Sequence, residues 1–191
     1  MDASRIARIA VFAGVVAVMG TTPAVSVPGI AVPITLQTLG VMLAGLMLSP
    51  LEAFLAMALF VGMVATGLPL LPGGRGGLAV FTGPSAGFLL GFAPAAAAIA
   101  ALAPVARRAT HGRSSAWTTA GYFASAVLGG IVVLYAVGVP VGAWNTGTSP
   151  GTFLRGSMVF LPGDLLKAAG AAAVAVSVFR AAPFLRPQVA R

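Results

Sequence analysis

No charged residue occurs between Arg8 and Glu52, and only Asp164 and Lys167 interrupt the run between Arg155 and Arg180. Such stretches confine a chain to a membrane, because about 20 consecutive apolar residues in a helix cross a bilayer. Composition agrees: hydrophobic residues make up 59% and charged residues 7%, against about 25% charged in soluble domains. The first stretch is too long for one helix, and Pro23, Pro28, Gly29 and Pro33 break it, since proline removes a backbone donor and ends helices. Divided in this way, the chain gives six spans near 5–22, 36–50, 52–69, 85–105, 116–139 and 158–180. The second is short for a crossing, and a re-entrant piece is the alternative there. The fold expected is an all-α integral membrane protein, a single transmembrane domain over 1–191 with no soluble domain.

Arginine placement decides between the two topologies. With six spans and both ends cytoplasmic, Arg5, Arg8, Arg107, Arg108, Arg113, Arg180, Arg186 and Arg191 lie inside, and Arg75 and Arg155 outside. That split follows the positive-inside rule. Five spans would move Arg5 and Arg8 outside and weaken it. A rival reading takes Arg5, Arg8, the apolar run Ile9–Met19 and the small residues that follow as a secretory signal peptide. An uncleaved first helix restores the charge balance and is preferred.

Other chemistries are poorly supplied. There is no cysteine, hence no thiol chemistry and no cysteine-ligated metal. The single histidine, His111, stands among Arg107, Arg108 and Arg113, where a solvated loop residue is expected rather than a ligand. The net charge of +8 comes from arginines scattered at helix ends, so membrane topology explains it and nucleic acid is not an expected partner. No nucleophile pairs with a base, so no enzyme, catalytic residue, metal or cofactor is expected.

Asp164 and Lys167 carry the strongest functional signal. A charge at the centre of a membrane helix costs about 3 kcal/mol even on lenient scales, so it seldom persists without a role. Three residues apart, the two project from one helical face, a carboxylate acceptor beside an ammonium donor. The competing structural reading makes Asp164 a helix N-cap behind Pro162-Gly163, with Lys167 as its internal partner.

The links expected on the outer side, near 23–35, 69–84 and 140–157, hold most of the prolines and many glycines. Structured irregular loops often carry function, and ordinary turn punctuation is the plainer reading. In the richest, Gly73-Gly74-Arg75-Gly76-Gly77, glycines flank a cation, although no Gly-Lys-Ser/Thr follows and a phosphate loop is not indicated. Gly83, Gly87 and Gly91 recur every four residues, the spacing of close helix packing. The first helix carries small residues in several registers, among them Ala10 and Gly14, which suit packing or the docking of another membrane subunit.

Three segments together resemble the BioY family, the biotin-specific substrate-binding (S) components of energy-coupling-factor (ECF) transporters. They are Val32-Pro-Ile-Thr-Leu-Gln37-Thr-Leu with Ala44-Gly45, Gly73–Gly77 running into Gly83-Pro-Ser-Ala-Gly87, and Phe160-Leu-Pro-Gly-Asp164-Leu-Leu-Lys167-Ala168. The resemblance spans nearly the whole chain. It implies a six-helix bundle with cytoplasmic termini in the bacterial cytoplasmic membrane. It also implies an outer-side biotin pocket with Gln37, Gly73, Gly74, Arg75, Gly77, Asp164 and Lys167 among its walls. Asp164 suits a ureido N–H and Lys167 either the ureido oxygen or the tail carboxylate, while Trp144, Phe88 and Phe81 are candidates to pack the thiophane ring and tail.

Two departures mark the chain. Ala86-Gly87-Phe88 stands where many relatives have Gly-Gly-Tyr, and Arg75 stands where some have Asn. The resemblance further implies partners, a transmembrane coupling protein and two ATPase subunits, docked through Ala10 and Gly14 of the first helix. A self-sufficient secondary transporter, with Asp164 as a proton or sodium site, is the alternative. The sequence has no convincing inverted repeat to favour it.

Overall fold

A computed structural model describes residues 2–24, 35–110, 112 and 114–185. Six helices follow one another: α1 (Ala3–Thr21), α2 (Gln37–Met47), α3 (Pro50–Ala65), α4 (Ala86–Ala109), α5 (Ser115–Thr146) and α6 (Pro150–Ala181). The only β feature among the described residues is an isolated bridge between Leu71 and Arg75. Residues 32–34 of the first family segment, His111, Arg113, Arg186 and Arg191 lie outside the described residues.

Local chemistry sets the helix starts. The Asp2 carboxylate accepts from the Arg5 backbone N–H at 2.9 Å and caps α1. Pro50 occupies the first turn of α3, where its missing donor costs nothing, and the Glu52 carboxylate accepts from the Ser49 N–H at 3.1 Å. The Ser149 hydroxyl accepts from the Thr152 N–H at 3.2 Å at the head of α6.

Successive helices run antiparallel, with α4 central and packed on α2, α3 and α5. Small residues bring their axes together. Gly87 of α4 lies so close to α5 that a Cβ there would come within 2.5 Å of the Gly138 carbonyl oxygen. The buried stripe of α6 is Ala168, Ala171, Ala172 and Ala175, against α2 and α5. α5 contains a π-helical turn, Leu128–Val133. Its two glycines meet different neighbours, Gly129 facing Ile99 and Ala95 of α4 and Gly130 facing Met42 of α2.

The bundle has two chemically distinct ends. At one, Arg8 bonds Glu52 at 2.6 Å across α1 and α3, and Leu48, Arg107 and Tyr122 share a small cleft between α2, α4 and α5. Tyr122 meets Phe179 of α6 edge-on at 6.2 Å, next to Arg180. At the other end lie Arg75, Arg155 and the irregular α3–α4 link. The exterior between them is apolar, with Val11, Val18, Val132 and Leu166 all more than half exposed. Such a surface suits hydrocarbon rather than water, and the chain is a multi-pass membrane protein.

Four helices, α1, α4, α5 and α6, are long and apolar enough to cross a membrane. The other two expected spans are shorter than anticipated. α2 has 11 residues and α3 has 16, rising about 16 and 24 Å against a hydrocarbon core of about 30 Å. The first residues of α2, Gln37 and Thr38, line a cavity. The last two helices are longer than expected, so the link anticipated over 140–157 is mostly helical. Pro140 lies inside α5 without ending it, as membrane bundles permit when neighbours satisfy the freed backbone group. Gly83 precedes α4, so of the three spaced glycines only Gly87 and Gly91 form a packing face.

Candidate functional site

The cavity, open to solvent, sits at the end opposite the arginine cluster. Four helices and one loop contribute to it: Thr35, Gln37 and Thr38 at the head of α2; Leu71, Pro72 and Arg75 from the α3–α4 link; Ser85, Phe88, Leu89 and Phe92 around the start of α4; Leu134 and Tyr135 of α5; and Phe160, Asp164 and Lys167 of α6.

Its polar groups converge on Asp164. The Lys167 ammonium donates to Asp164 Oδ1 at 2.9 Å and to Thr38 Oγ1 at 2.9 Å. The Thr38 hydroxyl in turn donates to Oδ1 at 3.2 Å, closing a three-membered ring. The Tyr135 hydroxyl donates to Oδ2 at 3.0 Å. The side chains of Asp164 and Lys167 are 4% and 12% exposed, so these are charge-assisted bonds in a poorly hydrated place. A carboxylate offers about four acceptor directions and an ammonium three donors. One of each therefore remains for a ligand.

Asp164 is not a helix N-cap: α6 starts at Pro150, and Asp164 lies inside it, just after a 3-10 turn over Met158–Phe160. The ion pair with Lys167 does form, but it is shared with α2 and α5 rather than closed within α6. The rest of the wall is apolar. Phe88 meets Tyr135 edge-on at 5.5 Å, Phe160 edge-on at 6.3 Å and Phe153 in a stack at 6.4 Å. A glycine at 138 lets the Phe88 ring lie against the α5 backbone. Gln37 is buried, and its amide donates to the Leu70 carbonyl at 3.5 Å.

A family model described as the BioY family matches residues 1–184. The chain belongs to the BioY family. The biotin transporter BioY of Rhizobium etli is 40% identical over 185 residues, covering 97% of this chain and 98% of that one. The probable biotin transporter BioY of Bacillus subtilis is 43% identical over 176 residues, covering 91% and 89%. The fold also matches a crystal structure of the S-component for biotin from an ECF-type ABC transporter, with a TM-score of 0.83 and 26% identity over 93% of this chain and 91% of that one.

Of the site residues expected in this BioY chain, Gln37, Arg75, Phe88, Asp164 and Lys167 line the cavity together. Gly73, Gly74 and Gly77 do not; they shape the link that carries Leu71 and Arg75. Trp144 points away from the cavity and is 87% exposed near the end of α5. Its residue type suited an apolar wall, but its helical position puts it on the outer surface. Phe81 is not a lining residue either, and its carbonyl accepts from the Asn145 amide at 3.0 Å. Ala10 and Gly14 lie beside the buried stripe of α1, and a Cβ on Gly14 would meet nothing within 4 Å.

Sequence reasoning missed Thr38 and Tyr135. A signal existed for the second: a buried phenol almost always finds a hydrogen-bond partner, and Tyr135 is one of two tyrosines in the chain. Tyr135, in edge contact with Phe88, brings a phenol to the site.

Proposed function

We propose that this protein binds biotin with high affinity and serves as the S component of an ECF-type importer for biotin uptake across the bacterial cytoplasmic membrane. The carrying observation is the ring of Thr38, Asp164, Lys167 and Tyr135 at the floor of an aromatic cavity. The names of the relatives and of the matching S component support the same ligand. Biotin's ureido group presents two N–H donors and one carbonyl acceptor. The spare acceptor of Asp164 suits an N–H, and the spare donor of Lys167 suits the ureido oxygen.

In this pose Phe88, Phe92 and Phe160 pack the thiophane ring and Gln37 adds a further polar contact. The tail then runs toward Arg75 at the mouth. Gly73, Gly74 and Gly77 contribute only through the loop they shape, and Trp144 has no part.

Both termini lie on the cytoplasmic side, with the cavity opening outward. Energy comes from elsewhere: the protein is not an enzyme, binds no cofactor, and works with a transmembrane coupling protein and two ATPase subunits. Ala10 and Gly14, on an open strip of α1, are the docking residues for the coupling protein.

The test is to purify the protein in detergent and identify any co-purifying small molecule by mass spectrometry. Biotin at near-equal stoichiometry is expected. Absence of biotin, together with no calorimetric signal on adding it to dialysed protein, would overturn the reading. Uptake that persists in vesicles lacking any ATPase and collapses with the ion gradient would identify a self-sufficient secondary transporter instead.

A further inference from the structure

The cavity holds one more positive charge than its floor neutralises. Among its lining residues Asp164 is the one acid, and Lys167 and Arg75 are the two bases. Lys167 is committed to Asp164 at 2.9 Å. Arg75 forms no ion pair among the described residues. Its Nε donates to the neutral Pro72 carbonyl at 3.1 Å.

Nor is Arg75 a loosely held surface residue. The Leu71 N–H donates to the Arg75 carbonyl at 3.0 Å, and the Arg75 N–H to the Leu71 carbonyl at 3.2 Å. Leu71 is buried and anchors that bridge. Gly73 and Gly74, at φ of 76° and 71°, close the turn in a conformation that L side chains rarely adopt. Two backbone hydrogen bonds thus fix the base of the side chain and one to Nε orients the guanidinium, and the Nη atoms carry none among the described residues. A guanidinium held this way presents the planar fork that matches a carboxylate.

We propose that Arg75 is a specificity-determining residue, reading the carboxylate of biotin at the mouth of the cavity and selecting the free acid over its uncharged esters and amides. The proposal rests on the biotin reading above. The division of labour follows from exposure: the Asp164–Lys167 pair is nearly dry, with little spare charge, while Arg75 is exposed at the lip with a whole charge to offer. A ligand bound at the floor through a neutral hydrogen-bonding ring, and carrying one negative charge at its far end, balances the cavity.

The alternative, an arginine kept only for its turn, gives different numbers. Calorimetry on detergent-purified wild type, Arg75→Gln and Arg75→Lys, each with biotin and with biotin methyl ester, separates them. The wild type is expected to prefer the acid by roughly 2- to 5-fold, the range of a solvated ion pair, and less so at high salt. Arg75→Gln is expected to bind the ester as the wild type does and to lose the preference, while Arg75→Lys keeps most of it. Equal binding of acid and ester by the wild type would overturn the proposal, as would Arg75→Gln weakening both compounds alike. Wild-type protein that binds neither compound would overturn the biotin reading itself, and this assignment with it.

Discussion

Asp164 accepts from Thr38, Tyr135 and Lys167 on three helices, so its substitution tests fold and binding at once. Asn at 164 keeps the shape but leaves Lys167 a cation without its counter-charge at 12% exposure. Breaking a buried pair from one side costs about 3–5 kcal/mol, and much of that falls on the ligand contact where the pair holds it. Asp164→Asn is therefore expected to weaken biotin binding at least ~100-fold, measured by calorimetry on the fraction that elutes as folded protein. If that fraction bound biotin like the wild type, Asp164 would serve the fold alone. Tyr135→Phe is gentler. It removes one donor to a carboxylate, about 1.5–3 kcal/mol, while its ring keeps the edge contact with Phe88. Roughly tenfold weaker binding, with a modest fall in thermal stability because the bond also ties α5 to α6, is the expected outcome, and unchanged affinity would remove Tyr135 from the site. Asp164 and Lys167 were legible in the sequence because a charge in an apolar run is costly and conspicuous. Thr38 was not, since a hydroxyl satisfied by a neighbour leaves little trace in composition; Tyr135 left the fainter signal of a rare phenol in an apolar helix. Trp144 misled for the opposite reason: its type suits a ligand wall, and only helix phase reveals that it faces outward.

At the scale of elements, glycine spacing and proline position carried unequal information. The recurrence of Gly87 and Gly91 correctly marked a packing face, because nothing but a missing side chain lets two membrane helices approach so closely. Pro140 falls where the expected link near 140–157 begins, yet it lies inside α5, because whether a proline ends a helix depends on neighbours that local sequence does not display. The Gly87 crossing can be measured against a control. A Cβ at 87 would come within 2.5 Å of the Gly138 carbonyl oxygen, a backbone atom that cannot rotate away, whereas one at Gly62 meets nothing within 4 Å. Gly87→Ala is expected to destabilise by about 1–3 kcal/mol, as overpacking does. Gly62→Ala is expected to be neutral or to stabilise by about 0.5–1 kcal/mol through helix propensity. Thermal unfolding in detergent compares the two. Equal behaviour would mean that α4 and α5 do not meet as tightly as the geometry has them.

The whole molecule is ordered by one asymmetry, which the arginines show once the spans are laid out on the sequence. Arg5, Arg8, Arg107, Arg108 and Arg180 share the end where Glu52 ties α3 to α1. Arg75 and Arg155 share the end with the cavity. Chain connectivity alone does not require this, since an antiparallel bundle is indifferent to which end carries charge. A membrane is not indifferent: cytoplasmic segments near helix ends retain Lys and Arg. The cavity end is thus expected to face outward, where an importer meets its substrate. Because the chain has no cysteine, single cysteines can report that orientation without background. Thr148, in the turn between α5 and α6, and Gly112, in the turn between α4 and α5, are both exposed. Thr148→Cys is expected to react with a membrane-impermeant maleimide on intact cells, and Gly112→Cys only after permeabilisation. The reverse pattern would invert the topology and turn the cavity toward the cytoplasm. Labelling of both in intact cells would break the two-sided arrangement altogether. On the proposed assembly, Gly14→Leu, on the open side of α1, is expected to leave labelling and biotin binding as in the wild type and to abolish co-purification with the coupling protein.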